Sequence, residues 1–338
     1  MAGRRRALCV GIDQYRTPAN NLNSCANDAR AFEALLSEEY DFTEIHRLFD
    51  RDATLQNVTE ELDWLLADVD ADDRCVYVQS SHGARIAEGS QYKEVLVMSD
   101  ESFLSDQELV RRTQVLPPHV LLAFCDTCHS GGFNKLFLYD DGGIEFTKVK
   151  AWSPGPEQLE QLEANLADVT EVKLFGCPPS DNAAVLSKGF VPSADGMDPM
   201  ADGMAPAFKN ALATSDQVEM NGLLVAACLA EETALAATSK TKGLSVFTFY
   251  FLEAIKRLGP GSSTLALRTE AHRQIRAQGY AQTPVVKPPR NLPALDSRPF
   301  VLMPLGATLT GSSGSVFDRL SLAIQEALKA FQASEQGA

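Results

Sequence analysis

Two cysteines stand close together in the segment FCDTCHSGG, residues 124–132. Cys125, Cys128 and His129 fit C-x-x-C-H, the spacing that attaches a c-type haem, and the C-x-x-C part alone fits a redox pair or half of a zinc site. A third interpretation uses Cys128 by itself, as a nucleophile displayed just after a strand. The three interpretations predict different proteins, so the rest of the chain has to distinguish them.

A histidine that could serve such a nucleophile ends an earlier apolar segment, VYVQSSHG. A cysteine attacks a carbonyl carbon as a thiolate or with a base that takes its proton, and histidine is the natural base near neutral pH. His82 and Cys128 are both bordered by small residues, which leave room for a peptide backbone. The main-chain N–H groups of Gly83 and Cys128 are then the candidate donors to an oxyanion.

Strands that alternate with helices are predicted through about residue 135, which indicates an α/β fold with a mostly parallel sheet. His82 and Cys128 each follow a predicted strand, and sites in open α/β sheets gather at the carboxyl ends of strands. The predicted strands cover 6–13, 43–50, 74–83, 93–100 and 119–126, and the predicted helices cover 23–40, 53–69 and 104–114. Further along, we predict a strand within 221–236, helices over 245–258 and 263–278, a short strand over 300–305 and a tail helix over 315–333.

The composition restricts the cellular setting. The chain has 338 residues, 45% of them apolar, enough for a substantial core. Its seven cysteines form no disulfide framework, which favours a reducing cytosol. The apolar run near the N-terminus is too short for a signal peptide, and the longest apolar stretch is too short for a membrane span. We therefore predict a cytoplasmic protein, which weakens the haem interpretation because c-type cytochromes need export.

The net charge of −15 and the sequence pI near 4.8 make the protein strongly acidic. Nucleic-acid binding is disfavoured because phosphates would be repelled. The acidity serves either solubility or a site that attracts cationic substrates, and composition does not separate these two interpretations.

VYVQSSHG and LLAFCDTCHSGG together resemble the metacaspase branch of the caspase-like cysteine peptidases. The family pattern is a strand ending in S-G-H-G followed by a strand ending in D-x-C-H-S-G, and in caspases the histidine lies about 50 residues upstream of the cysteine. LNSCANDARAF is similar to the family's L-x-G-C-x-x-D-A segment, and AACLAEETALAATSKTKGLSVFTFYFLEAI resembles its small-subunit strand, turn and helix. The resemblance covers roughly 1–135 and 220–305 and favours a prokaryotic-type member.

This resemblance implies a caspase–haemoglobinase fold, in which a central, mostly parallel six-stranded sheet is flanked by helices. It makes Cys128 the nucleophile and His82 its base, with His129 a motif neighbour and Cys125 a small core residue. It also implies a pocket for a basic side chain before the scissile bond, formed by Cys25, Asp28, Ser80 and Asp126. Such a pocket would select Arg or Lys through charge-assisted hydrogen bonds.

The sequence departs from the family pattern at several positions. Ser81 and Ser24 replace glycines, which are small changes. Many family members bind calcium through several aspartates, and here Asp100 and Asp106 are the candidate ligands. Glu101 stands where a second aspartate is expected, the usual D-D pair reads Ser105-Asp106, and Lys135 stands seven residues beyond the nucleophile. A calcium site needs several oxygen ligands with a surplus of carboxylates, whereas here one carboxylate is lost and a cation is gained. We therefore predict that no cofactor is required and that any calcium site is weak.

The resemblance divides the chain into four parts. Residues 1–135 form a large-subunit region with the His/Cys pair, 136–220 an insert or linker that is partly flexible, 221–305 a small-subunit-like region, and 306–338 a linker and C-terminal helix. The insert follows the nucleophile, where caspase-like enzymes carry their subunit linker. Because it contains lysines, we predict self-cleavage within FTKVKAWSPG, after Lys148 or Lys150.

The sequence thus predicts a monomeric cysteine endopeptidase that cleaves protein or peptide substrates after Arg or Lys through an acyl-enzyme. It predicts neither nucleic-acid nor membrane partners. The alternative is a catalytically silent or partner-activated caspase-like module used for interactions.

Overall fold

The computed structural model describes residues 3–88, 91–128, 135–138, 144–153, 219–229 and 232–301. Its centre is a six-stranded sheet, and the order of strands from edge to edge is β11 (Val285–Lys287), β10 (Leu223–Ala226), β7 (Leu121–Asp126), β3 (Arg74–Ser80), β1 (Arg5–Gly11) and β2 (Glu44–Phe49). All neighbouring pairs are parallel except β10 with β11. The predicted mostly parallel six-stranded α/β fold is confirmed.

Five α-helices of the described residues accompany this sheet: α1 (Cys25–Glu39), α2 (Leu55–Leu66), α3 (Asp106–Thr113), α4 (Val246–Leu258) and α5 (Thr264–Ala277). Strand β1 shows why they divide between two faces, since successive side chains of a strand point in opposite directions. Ala7 and Cys9 belong to the hydrophobic cluster that holds most buried apolar residues of α1 and those of α4 and α5. Leu8 and Val10 belong to the cluster that holds those of α2. A sheet covered on both faces needs strands with continuous apolar runs, such as residues 7–10 of β1 and residues 121–125 of β7.

Aromatic side chains fill the layer between the sheet and α4. Phe124 of β7 stacks on Phe247 with ring centroids 4.9 Å apart, and Phe32 of α1 lies 4.2 Å from the same ring of Phe124. All three are buried. These contacts fix β7, the strand that leads to Cys128, against helices from both ends of the chain.

The structure differs from the sequence prediction at the smaller strands. The segment predicted as a strand over 93–100 is β5 (Gln91–Val97), which belongs to an antiparallel sheet with β4 (Gly83–Glu88) and β6 (Phe103–Ser105). The strand β4 was not expected, nor was the hairpin of β8 (Lys135–Leu138) and β9 (Ile144–Thr147). Short 3₁₀ turns occur at Pro18–Asn20, Asp50–Asp52 and Pro293–Ser297.

Several predictions concern residues that lie outside the described ranges. These are His129, the predicted tail helix over 315–333, most of the predicted strand over 300–305 and most of the 136–220 segment. Among the residues that are described, no helix combines the length and the apolar character that crossing a membrane would require.

Candidate active site

The parallel pairing of β3 with β7 brings His82 and Cys128 to one edge of the central sheet. Ser80 and Asp126, the last residues of the two strands, are register partners. The chain then continues to His82 and Gly83 on one side and to Cys128 on the other. A Cβ atom on Gly83 would lie 2.3 Å from the carbonyl oxygen of Cys128, so only glycine permits this close approach.

Hydrogen bonds hold the imidazole of His82 in a defined tautomer. Its Nε2 lies 2.6 Å from the carbonyl oxygen of Asn20, which can only accept, so Nε2 carries the proton. Nδ1 is buried and has no hydrogen-bond partner among the described residues. Tyr15 supports the same residue, because its hydroxyl oxygen accepts the His82 main-chain N–H at 2.8 Å and its ring lies 4.8 Å from the imidazole. The lone pair on Nδ1 is therefore the basic site of this histidine.

Burial keeps this base neutral. His82 is 3% exposed, and removal from water lowers the pKa of its imidazole to about 4. The carbonyl groups of Asn20 and Lys150 act in the opposite direction but do not offset the burial. A neutral imidazole is the form that can take a proton from a thiol.

The thiol of Cys128 is buried beside a second thiol. Its Sγ lies 3.6 Å from the carbonyl oxygen of Glu232, and the Sγ of Cys228 lies 3.7 Å from the same oxygen. A hydrogen bond with the Cys128 thiol, and then burial, raise the pKa of the Cys228 thiol. Since Nε2 of His82 is bonded to Asn20 and Nδ1 has no partner, the thiol and the imidazole are not hydrogen-bonded to each other here.

The four residues predicted for a basic side chain lie together beneath this edge and form what we call the acidic pocket: Cys25, Asp28, Ser80 and Asp126. All four are buried. Asp28 accepts from the Ser80 hydroxyl at 2.7 Å and from the main-chain N–H of Ser245 at 2.8 Å. Asp126 accepts from the hydroxyl of Thr248 at 2.7 Å. Helix α1 thus supplies Asp28 and strand β7 supplies Asp126, and donors at the N-terminal end of α4 hold both carboxylates.

A side chain of the protein itself fills the acidic pocket. Lys150 is fully buried, and its Nζ lies 2.9 Å from Asp126 Oδ1 and 3.3 Å from Asp28 Oδ2. The ammonium group also donates to the Ser80 hydroxyl at 2.8 Å and to the Asp126 carbonyl at 3.0 Å. Four oxygens thus surround a group with three donors, and these contacts offset the cost of its burial.

The charges in the pocket depend on one another. Burial raises the pKa of Asp28 to about 7, against the opposing attraction of Lys150. Burial alone would lower the pKa of the Lys150 ammonium, but attraction to Asp126, Cys25 and Asp28 raises it overall. The lysine therefore stays charged, and an empty pocket would favour the neutral form of Asp28.

The main chain around Lys150 is held as an extended segment across the site. Its N–H donates to the Ala234 carbonyl at 3.0 Å, and the Ala236 N–H donates to the Lys148 carbonyl at 2.9 Å. On the other side, the Gly83 N–H donates to the carbonyl oxygen of Lys150 at 3.0 Å. Gly83, which we predicted as an oxyanion donor, thus donates to the carbonyl group of Lys150, and the side chain of Lys150 fills the acidic pocket.

The two lysines predicted as self-cleavage sites occupy different places. The ammonium of the half-buried Lys148 donates to the Asn21 carbonyl at 2.7 Å. Lys150, two residues later, enters the acidic pocket. Side chains alternate along an extended segment, so both lysines lie on the same side but only the second reaches Asp28 and Asp126.

The candidate calcium ligands do not form a cluster in the described part of the chain. Asp100 Oδ1 accepts from the Ser102 N–H at 3.2 Å, and Asp106 Oδ1 accepts from the Gln107 N–H at 2.8 Å. No group of three or more His, Cys, Asp or Glu side chains suited to a metal ion occurs among the described residues. The weak calcium site at Asp100 and Asp106 stays a prediction.

Sequence reasoning missed the residues that position the histidine and the pocket. Asp13, just after β1, accepts from the N–H groups of Ser24 and Cys25 at 2.8 Å and so caps α1, which carries Asp28. Glu101 accepts from Asn20 Nδ2 at 3.1 Å and holds the loop whose carbonyl orients His82. The position of Asp13 at a strand end was a usable signal, whereas Asn20 and Tyr15 lie in a loop without any motif.

A six-stranded, mostly parallel sheet with helices on both faces is the architecture of the caspase-like fold. The profile of the family described as Caspase domain matches residues 4–292, and the chain belongs to this family of peptidases.

The chain is also similar to curated metacaspases over part of its length. Metacaspase-1 of Scheffersomyces stipitis is 30% identical over 162 residues, which cover 42% of this chain and 40% of that protein. Metacaspase-8 of Arabidopsis thaliana is 32% identical over 145 residues, covering 38% of this chain and 37% of that protein. The matches therefore span about two fifths of these relatives.

Among solved structures, the crystal structure of a Geobacter sulfurreducens protein superposes with a TM-score of 0.58 at 18% identity. It covers 89% of this chain and 100% of that chain. At this identity the likeness supports the fold.

Proposed function

We propose that this protein is a cysteine endopeptidase that cleaves after Lys or Arg and that its first substrate is its own chain, after Lys150. One observation carries the proposal: Lys150 lies where the residue before a scissile bond would lie. Its ammonium group is paired with Asp28 and Asp126, its carbonyl accepts from the Gly83 N–H, and its main chain pairs with Ala234.

The proposed reaction begins when the Cys128 thiol leaves the Glu232 carbonyl and transfers its proton to Nδ1 of His82. The sulfur then bonds to the carbonyl carbon of Lys150, and the oxyanion is stabilised by the Gly83 N–H and, as predicted from sequence, the Cys128 N–H. The C–N bond to Ala151 breaks as His82 returns the proton to the leaving amine. Water, deprotonated by His82, then hydrolyses the thioester and releases the Lys150 carboxylate.

Selectivity for basic residues follows from the charges of the acidic pocket. Four oxygen contacts surround one ammonium group, and an acidic side chain would meet two carboxylates instead. An arginine could use the same carboxylates through its planar fork of donors. We therefore propose Lys and Arg, and not Asp, as the residues before the cut.

The alternative function, a caspase-like interaction module without catalysis, is favoured by one feature. The Cys128 thiol and the His82 imidazole are bonded to separate carbonyl groups and not to each other. In the peptidase proposal this arrangement is a latent state that precedes attack.

Location in the cytoplasm, a monomeric state and independence from calcium belong to the same proposal.

The test is hydrolysis of fluorogenic peptides ending in Lys, Arg or Asp, with calcium and with chelator, by wild type and by Cys128→Ala. We expect cleavage after Lys and Arg that is lost in the variant and survives the chelator. Absence of cleavage under every condition would contradict the peptidase proposal and support the interaction module.

Self-cleavage is tested by intact mass after incubation. We expect a cut between Lys150 and Ala151 that disappears in Lys150→Ala. Lys148→Ala is the matched control, because it removes a lysine from the same segment but leaves the acidic pocket filled. A cut that persists in Lys150→Ala would contradict the assignment of this bond.

A further inference from the structure

The residues that follow Lys150 are also held in place beside the site. The Trp152 N–H donates to the Gly83 carbonyl at 3.2 Å, so Gly83 bonds the chain on both sides of Ala151. The Ser153 carbonyl accepts from Asn20 Nδ2 at 3.0 Å. Since the main-chain carbonyl of Asn20 orients His82, one residue contacts both the histidine and the downstream chain.

The side chain of Trp152 lies in an apolar environment. It is 7% exposed, and its ring meets Phe103 edge to face with centroids 5.1 Å apart. It belongs to the hydrophobic cluster that also contains Met98 and Leu104. The indole Nε1 is buried and has no hydrogen-bond partner among the described residues. This environment therefore recognises the area and shape of an aromatic ring and not the N–H of the indole.

Ala151, between the lysine and the tryptophan, is buried as well. Its main chain forms a parallel bridge with Gly83. Gly83 in turn closely approaches the carbonyl group of Cys128. A bulky side chain has little room at this position, so the geometry there favours a small residue.

From these contacts we propose that the site has a downstream subsite for an aromatic side chain at the second position after the cut, with Phe103 as the residue that determines this specificity. The inference rests on the proposed cleavage after Lys150. It defines the substrate class as a basic residue, then a small residue, then an aromatic one. In the structure, Lys150, Ala151 and Trp152 of the chain itself fulfil this pattern.

The substrate side of the test uses internally quenched peptides of the sequence FTKVKAXS, in which X is Trp, Phe, Ala or Asp. The enzyme is the full chain carrying Trp152→Ala, so that its own indole cannot fill the subsite. We expect the peptides with Trp and Phe to have kcat/KM values about tenfold above the peptide with Ala, mainly through KM, because an apolar group of this kind contributes discrimination of that order. Phe should equal or exceed Trp, since it brings no unpartnered N–H, and Asp should be poorest.

The enzyme side of the test adds Phe103→Ala and, in case that variant folds poorly, Phe103→Leu. We expect the ratio of kcat/KM for X = Phe over X = Ala to fall toward one. Val115→Ala, which shortens an apolar side chain that is 88% exposed, is the control and should retain the ratio.

The outcomes separate the two proposals. Cleavage after Lys with equal kcat/KM for X = Phe and X = Ala would overturn the subsite and leave the peptidase intact. Failure to cleave any peptide with Lys before the bond, short fluorogenic ones included, would overturn the peptidase and the subsite with it. Mass spectrometry of the products confirms that each cut follows the second lysine of the peptide.

Discussion

The acidic pocket and the pair of His82 and Cys128 differ in how they treat buried charge. The acidic pocket concentrates charge, with two buried carboxylates that each lie within hydrogen-bonding distance of one buried ammonium group. The His82 and Cys128 pair avoids charge, because its histidine is kept neutral by burial and its thiol is bonded to a carbonyl group. The two carboxylates of the pocket lose a buried countercharge if Lys150 is removed. In the pair, each member bonds a carbonyl group without contact with the other, and Nδ1 of His82 has no partner among the described residues.

This difference predicts which substitutions change the stability of the protein and which change its catalysis. Buried charges that are paired become strongly destabilising when one partner is lost. Buried neutral groups that each bond a carbonyl can change partners at little cost. We therefore expect changes in the pocket to affect both folding and cleavage, and changes in the pair to affect cleavage almost alone.

The largest expected effect is the loss of peptide hydrolysis when Cys128 of the His82 and Cys128 pair is replaced. Cys128→Ala should reduce peptide hydrolysis by about 10⁴-fold or more, since removal of a nucleophile leaves only binding and oxyanion stabilisation. Its thermal unfolding midpoint should stay close to that of the wild type. Cys75→Ala, which removes a buried thiol bonded to the Leu65 carbonyl on the other face of the sheet, is the control and should keep full hydrolysis. Equal loss in both variants would contradict a special role for Cys128.

The second prediction tests the pocket. In the uncut Cys128→Ala background, Asp126→Asn should lower the free energy of unfolding by about 3–5 kcal/mol, because Lys150 loses a buried countercharge. Adding Lys150→Met should restore most of this loss, which a double-mutant cycle by chemical denaturation measures. Asp63→Asn, at an exposed ion pair with Arg112, should cost less than about 1 kcal/mol. Additive losses from Asp126 and Lys150 would refute the coupling.

The third prediction concerns the pH dependence of stability. The pKa of His82 is about 4 when folded, against about 6.5 when unfolded. Above pH 6.5 both states are neutral and the histidine contributes no pH dependence. Between pH 6.5 and 4 the unfolded chain binds a proton that the folded chain does not, so the free energy of unfolding falls by about 3 kcal/mol in total. Below pH 4 this contribution stops changing.

Comparison of Cys128→Ala with Cys128→Ala/His82→Gln by denaturation at several pH values isolates this effect. The raised pKa of Asp28 acts with the opposite sign, since the folded state then binds a proton below about pH 7 that the unfolded state binds only near pH 4. It is present in both variants and cancels in the difference. Identical pH slopes would show that His82 is not kept neutral by the fold.

The smallest expected effect concerns the support of the histidine. Tyr15→Phe removes the acceptor of the His82 main-chain N–H and should lower stability by about 1–2 kcal/mol. It should also lower kcat several-fold, because His82 gains freedom to leave its orientation. Tyr77→Phe, which removes a buried hydroxyl bonded to Gln79, should cost similar stability without the loss in kcat. A matching drop in kcat for both variants would assign Tyr15 a purely structural role.

The central fold was predictable because its strands are short apolar runs ended by polar turns. The strand ends of β3 and β7 carry motif residues, so their meeting at one edge followed from parallel pairing alone. The small antiparallel sheet was not predictable, since Gly83–Glu88 mixes polar and small residues and gains its ladder from β5 and a bridge from Ala151, neither of which the local pattern indicates. Strand β4 begins at Gly83, the glycine whose lack of a side chain allows the close approach of the Cys128 carbonyl group.

The site was predictable to the extent that it depends on residue type. Two carboxylates and two small residues could be assigned to one pocket, and two lysines to a segment for which self-cleavage stays a prediction. That Lys150 and not Lys148 fills the pocket depends on the register between 148–150 and 234–236, which no local pattern fixes. The roles of Asn20 and Trp152 depend likewise on contacts between distant parts of the chain.

The position of β10 determines what a cut after Lys150 would produce. This strand follows Lys150 in sequence, yet it lies between β7 and β11, with Leu223 and Val225 buried and paired in register with Leu122 and Phe124. Each polypeptide would contribute strands to one shared sheet and aromatic rings to one shared interior. Cleavage would therefore give two bands on a denaturing gel but a single particle of unchanged mass under native conditions, a two-chain protein that had been synthesised as one.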